Sequence, residues 1–99
     1  MPPAYIVFIK ESTQDQKQLD RYGELVGQSF KDHGVKFLAA YGTHEVLEGP
    51  PLEGVVILEF LDIEVARAWY FGPAYQEAAA HRFSGATYRA VMVEGRATP

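Results

Sequence analysis

Apolar and polar positions fall in blocks along this chain, and the blocks divide it into six elements. AYIVFIK (Ala4–Lys10) is β-branched and aromatic, preceded by Pro2-Pro3 and ended by the polar ESTQDQ, so it reads as a strand. From about Asp15 to His33 the apolar residues step by three and four through Leu19, Tyr22, Val26 and Phe30. That spacing predicts an amphipathic helix, capped by Asp15 or Thr13 and ended by a left-handed Gly34. VKFLAAY (Val35–Tyr41) is a second strand, and HEVLE (His44–Glu48) is expected to extend the sheet as a short ribbon before GPP stops it. GVVILEFL (Gly54–Leu61) is the strongest strand. Asp62 then caps a helix carrying Val65, Ala66, Trp69 and Tyr70, which Gly72-Pro73 breaks and AYQEAAAHRF resumes. TYRAVMVEG (Thr87–Gly95) closes the pattern, with RATP expected to fray.

Strand, helix, strand, strand, helix, strand is the order of two interleaved βαβ units. It predicts an α+β, ferredoxin-like four-stranded antiparallel sheet with two helices on one face. No repeat or linker is visible, so residues 1–99 are expected to form a single domain. The strands add a second expectation. A sheet with one face in water alternates apolar and polar residues, yet in GVVILEFL both parities are apolar. Two helices cover one face only. A second copy of the chain is the simplest cover for the other, giving a homodimer through the open sheet face.

The motifs VLEGPP, VVILEF, EVARAWYFGPAYQEAAAHR and VMVEG, in that order, resemble domain-of-unknown-function family 1330, and the resemblance covers nearly the whole chain. It implies a dimeric α+β barrel. One departure is local: members often carry basic residues just before the third strand, where this chain has PLEG (Pro51–Gly54).

Composition narrows the chemistry. With 47% hydrophobic residues the chain is globular in class, and a net charge of −4 with pI near 5.2 argues against non-specific nucleic-acid binding. It has no cysteine, which excludes disulfides, thiolate-bound metals and thiol nucleophiles. YIVFI is too short for a signal peptide, and no window reaches the roughly 18 apolar residues of a membrane span. A soluble, cytoplasmic protein is the expectation. The three histidines lack metal-ligand spacing, and no phosphate loop, nucleophile elbow or dinucleotide fingerprint appears, so neither metal nor cofactor is expected.

The candidate site residues follow from position. Glu59 stands inside the most apolar strand, where a carboxylate finds a partner or stays protonated. A raised pKa would suit it as a catalytic acid or base; a structural ion pair is the alternative. Tyr75 and Arg82 are seven apart on one helical face with Ala78 and Ala79 between them, a spacing suited to holding a carboxylate or enolate. The alternative is an Arg82 on the surface, paired with Glu77 or Glu59. His81 points about 100° away and is the second catalytic candidate. Trp69 belongs to the core, Tyr70 to a pocket wall, and Tyr5 and Tyr22 to a cavity between sheet and helices. The function expected is a small cofactor-independent enzyme acting on a small carboxylate or carbonyl compound. Glu59 or His81 would transfer the proton, in isomerase, lyase or hydrolase chemistry. The alternatives are a non-catalytic homodimer that binds a metabolite or protein, and a cofactor-free monooxygenase. The wider superfamily implied by the resemblance includes such oxygenases.

Overall fold

The blocks fold in the order β1 (Ala4–Thr13), α1 (Gln16–Ser29), β2 (Lys36–Ala40), β3 (Gly54–Phe60), α2 (Ile63–Phe71), α3 (Pro73–Gly85) and β4 (Ala86–Glu94), in a computed structural model that describes residues 2–97. Of the expected RATP tail, Thr98 and Pro99 lie outside the described residues. All strand pairs are antiparallel in the order β2-β3-β1-β4, which is the ferredoxin-like α+β arrangement the element order predicted. Among the described residues no helix is long and apolar enough to cross a membrane.

The sheet has two unlike faces because side chains alternate along each strand. Ala4, Ile6 and Phe8 of β1 stand opposite Phe60, Leu58 and Val56 of β3, and this set meets the helices. Ala66, Trp69, Tyr75 and Ala79 complete that core. Trp69 is 1% exposed, lies parallel to the Phe30 ring, and donates its indole N–H to Ser29 Oγ at 3.0 Å. The other face presents Tyr5, Val7 and Ile9 against Glu59, Ile57 and Val55, with Val93 and Val91 beside Tyr5 and Val7. Among the described residues no element packs over it, and Val91 and Val93 remain about half exposed, at 49% and 51%.

Most strand ends fall within a residue of expectation, and the larger departures are at the end of β1, the end of α1 and His44–Glu48. β1 runs on past Lys10 through the polar Glu11-Ser12-Thr13, because a register shift lets Ser12 and Thr13 pair with Thr87 and Ala86 at the solvated end of β4. Polarity alone does not stop a strand whose backbone still has a partner. α1 ends at Ser29 rather than His33; turns follow, with Asp32 as well as Gly34 at positive φ. His44–Glu48 forms no strand. Tyr41 N–H makes a last bond to Val55 O at 2.9 Å, but Tyr41 sits at φ 57 and turns the chain away. The expected break at Gly72-Pro73 separates two helices, α2 and α3, so the helical layer holds three rather than two. Asp62 caps α2 through Val65 N–H, Gly72 adopts an extended conformation, and Pro73 starts α3. Gly85 ends α3 where a Cβ would stand 3.0 Å from Asp15 O, and its carbonyl accepts from Gln14 and Asp15 N–H. This close approach locks α3 to the start of α1.

Candidate active site

The helical phase of α3 places Tyr75 and Arg82 two turns apart on its inner face. Both are buried, Tyr75 at 0% and Arg82 at 3% exposure. Arg82 Nε–H donates to Tyr75 Oη at 3.2 Å, and Tyr75 Oη lies 3.0 Å from Tyr22 Oη on α1. The Arg82 guanidinium packs 4.8 Å from the Phe83 ring centroid, 5.0 Å from Tyr88 and 5.2 Å from Phe8. The ion pairs among the described residues are Lys10–Glu53, Arg21–Glu24 and Lys36–Glu59, so no carboxylate neutralises Arg82.

Proton counting gives this chain a direction. A phenol has one O–H to donate. Tyr75 Oη accepts from Arg82, and either hydroxyl can donate across the Tyr75–Tyr22 contact; donation by Tyr75 uses its one proton. The reverse orientation would strand the Tyr75 proton in a fully buried position, which costs more than leaving it at a cavity wall. With Tyr75 as the donor, the Tyr22 O–H is the free end of the chain, and Tyr22 lines a cavity.

That cavity lies between sheet and helices, with a volume of about 100 Å³. Its walls are largely aromatic: Phe8, Tyr22, Phe30, Phe37, Trp69 and Tyr88, with Tyr41 at the rim. Tyr22, Val26, Tyr41 and Tyr88 also line an outer recess of about 310 Å³ that Lys10 reaches. Tyr41 Oη and Tyr88 Oη, from residues that line both spaces, hydrogen-bond at 2.6 Å. Tyr41 fits there because residue 54 is glycine; a Cβ at Gly54 would stand 2.4 Å from the Tyr41 ring. Lys10 Nζ lies 3.5 Å from Glu53 Oε1. The Thr13 hydroxyl donates to the same carboxyl and, with Lys10, holds it below its usual range.

Burial raises the pKa of all three interior phenols. It pushes Tyr22 far above the ordinary tyrosine value, with Tyr75 adding to the effect. Tyr88 is pushed up by burial and then by its bond to Tyr41. In Tyr75 burial outweighs the opposing Arg82 charge. These groups are neutral donors at physiological pH, not bases.

The sequence-predicted residues do not all meet here. Tyr22, Tyr75 and Arg82 form the chain just described. Tyr70 walls a different groove, between α3 and β4, which Arg82 also lines. Tyr5 is a correction: its odd position on β1 turns it to the open sheet face, where its hydroxyl donates to Glu59 Oε1 at 3.2 Å. Glu59 shares that face, with Lys36 Nζ at 3.9 Å, and is cut off from the cavity by the sheet. His81 lies on the α1–α3 seam, where Nδ1 and Gln18 Oε1 are 2.8 Å apart. Neither expected proton-transfer residue lines the cavity. The surface alternative for Arg82 fails with its burial. Three residues were missed. Lys10 and Tyr88 share the strand parity of Phe8 and Ala90, which carried a usable signal; the placement of Tyr41 depends on a left-handed backbone that has no side-chain signature. Among the described residues no cluster of His, Asp and Glu is arranged to hold a metal ion.

Comparison with known proteins agrees with the fold. Residues 3–96 match the family described as Domain of unknown function (DUF1330), and the chain belongs to that family. No curated protein matches it by sequence. A protein of unknown function from Rhodopseudomonas palustris is similar at TM-score 0.76 and 19% identity, over 98% of this chain and 85% of that one. A dimeric ferredoxin-like protein of unknown function from Thermobifida fusca aligns at TM-score 0.63 and 13% identity, over 94% and 91% of the two chains. SnoaB, a cofactor-independent oxygenase from Streptomyces nogalater, aligns at TM-score 0.59 and 11% identity, over 99% and 97%. At these identities the likeness concerns the fold alone.

Proposed function

We propose that this member of the DUF1330 family is a homodimeric, cofactor-independent enzyme for a small carbonyl or enol compound, which it binds in the aromatic cavity between sheet and helices. The Tyr22 hydroxyl holds the ligand oxygen as that oxygen gains negative charge. The observation that carries this reading is the buried Arg82–Tyr75–Tyr22 chain. A guanidinium without an ion-pair partner among the described residues bonds Tyr75, and Tyr75 bonds Tyr22 at the cavity wall; with Tyr75 donating, the Tyr22 proton is left for a ligand. Preorganised donors in a dry site favour an oxyanion over its neutral parent, because they need no reorganisation when the charge appears. A volume of about 100 Å³ with aromatic walls suits a compact aliphatic ketone or enol, while a ring, for which an apolar cavity of about 150 Å³ holds benzene, extends into the outer recess of about 310 Å³.

The proton-transfer roles first expected of Glu59 and His81 have no geometric support in this cavity. The ligand class that fits best is one acidic enough to ionise at neutral pH once its anion is stabilised. The same feature favours cofactor-free oxygenation as a second reading. A bound enolate carbanion supplies the electron pair for a C–O bond to dioxygen, and one proton completes the hydroperoxide; the fold-level likeness to the Streptomyces oxygenase is compatible with it. Homodimerisation through the open sheet face is supported by its apolar residues and by the dimeric Thermobifida relative. Isothermal titration with 4-nitrophenol tests the binding step. Tyr22→Phe is expected to weaken binding about tenfold, in line with about 1.5–3 kcal/mol for a hydrogen bond to a charged group. Equal affinity in both proteins contradicts the reading, and binding of enols without turnover under air would make the protein a carrier.

A further inference from the structure

Arg82 has a second side. Nε is committed to Tyr75, and this is the one side-chain hydrogen bond the guanidinium makes among the described residues. No fully buried side-chain nitrogen or oxygen there lacks a partner, so the two terminal nitrogens keep the small exposed area that remains to Arg82. The cavity that Arg82 lines is the open groove of about 430 Å³ between α3 and β4. Tyr88 is a wall of both this groove and the aromatic cavity, but the groove opens separately.

We infer that the terminal nitrogens of Arg82 form a carboxylate-binding site in the α3–β4 groove, taking a small monocarboxylate with an apolar body. The argument is electrostatic first. A permanent cation that is 3% exposed has lost nearly all of its hydration, and three aromatic rings replace only part of it. No carboxylate of the described residues repays the rest. An uncompensated buried charge is costly, so an external anion gains most where it meets this one. Geometry selects the anion: two terminal N–H groups in a rigid fork match the two oxygens of a carboxylate. The groove selects the body. Phe83, Ala86, Ala90 and the rings of Tyr70 and Tyr88 line it and offer apolar contact, and the hydroxyl-bearing side chains beside Arg82 are Thr87, Tyr70 and Tyr88. Because the site uses nitrogens the relay to Tyr22 does not, it stands whether or not the cavity reading holds.

The test is a titration of the wild-type protein with sodium benzoate, followed through the nitrogen-15 resonances of the Arg82 side chain, against sodium chloride at equal ionic strength. The expected result is a saturable shift of the Arg82 signals with benzoate and none with chloride. Arg82→Lys is expected to lose about tenfold or more in affinity because its point charge lacks the fork. Tyr22→Phe is expected to keep the groove affinity within about twofold, which separates this site from the cavity. Arg82 signals that do not move with benzoate, or move equally with chloride, overturn the inference, as does undiminished benzoate affinity in Arg82→Lys. Should Arg82→Lys fail to fold, the wild-type spectra decide alone.

Discussion

Single side chains set the limits of this site, and Trp69 shows how. Its ring fills the space between α1, α2 and the sheet, and its indole N–H has one acceptor, Ser29 Oγ, which in turn donates to Val26 O. Ser29 is 2% exposed, so water does not replace it readily. Ser29→Ala therefore leaves a buried N–H unpaired, at a cost of about 1–3 kcal/mol. Urea unfolding of the two proteins measures this, and the Ser29→Ala, Trp69→Phe double variant should lose less than the sum of the two. Equal midpoints for wild type and Ser29→Ala would remove the indole bond from the account. The pairing of Tyr75 with Arg82 was legible because seven residues is a fixed distance along a helix. Tyr41 was not: it comes to Tyr88 through a positive φ and a facing Gly54, and no pattern of apolar spacing encodes either.

At the scale of elements, alternation made most of the sheet readable. It put Glu59 on the same side as Val55 and Ile57, as found, and it showed that both faces were apolar. It could not say which side the helices take, because parity within one strand carries no register between strands. Tyr5 was assigned to the cavity for that reason, and the pairing Tyr5↔Glu59 sends it to the open face. The break at Gly72-Pro73 was legible from proline chemistry. The absent ribbon at His44–Glu48 was not, since a short apolar run looks alike in a strand and in an exposed loop. The open face carries its own prediction. With Val7, Ile57 and Val91 side by side on a protomer surface, sedimentation equilibrium should find a dimer. Val91→Lys should shift it to protomer at micromolar concentration while the circular dichroism stays native, because a lysine there meets solvent in the free protomer and an apolar partner in the dimer. A wild-type protomer, or a dimer indifferent to Val91→Lys, contradicts pairing through this face.

The whole molecule is needed to make the cavity. Its walls come from α1, α2 and all four strands, with Tyr41 closing it where the chain leaves β2, and α3 supplies the charge behind them. This is why residue types suggested an oxygen-binding group while the sequence left its location open. The interior phenols share one electrostatic state: burial raises the pKa of Tyr22, Tyr75 and Tyr88 and keeps them neutral. The most direct measurement is the ionisation of 4-nitrophenol bound to the protein, followed by its visible phenolate band against pH. The account predicts that the bound phenol ionises at a pKa about one unit below its free value, worth about 1.4 kcal/mol, and that Tyr22→Phe abolishes most of that shift. A bound phenol that ionises at or above its free value would mean that the cavity stabilises no oxyanion, and the proposed function would fall with it.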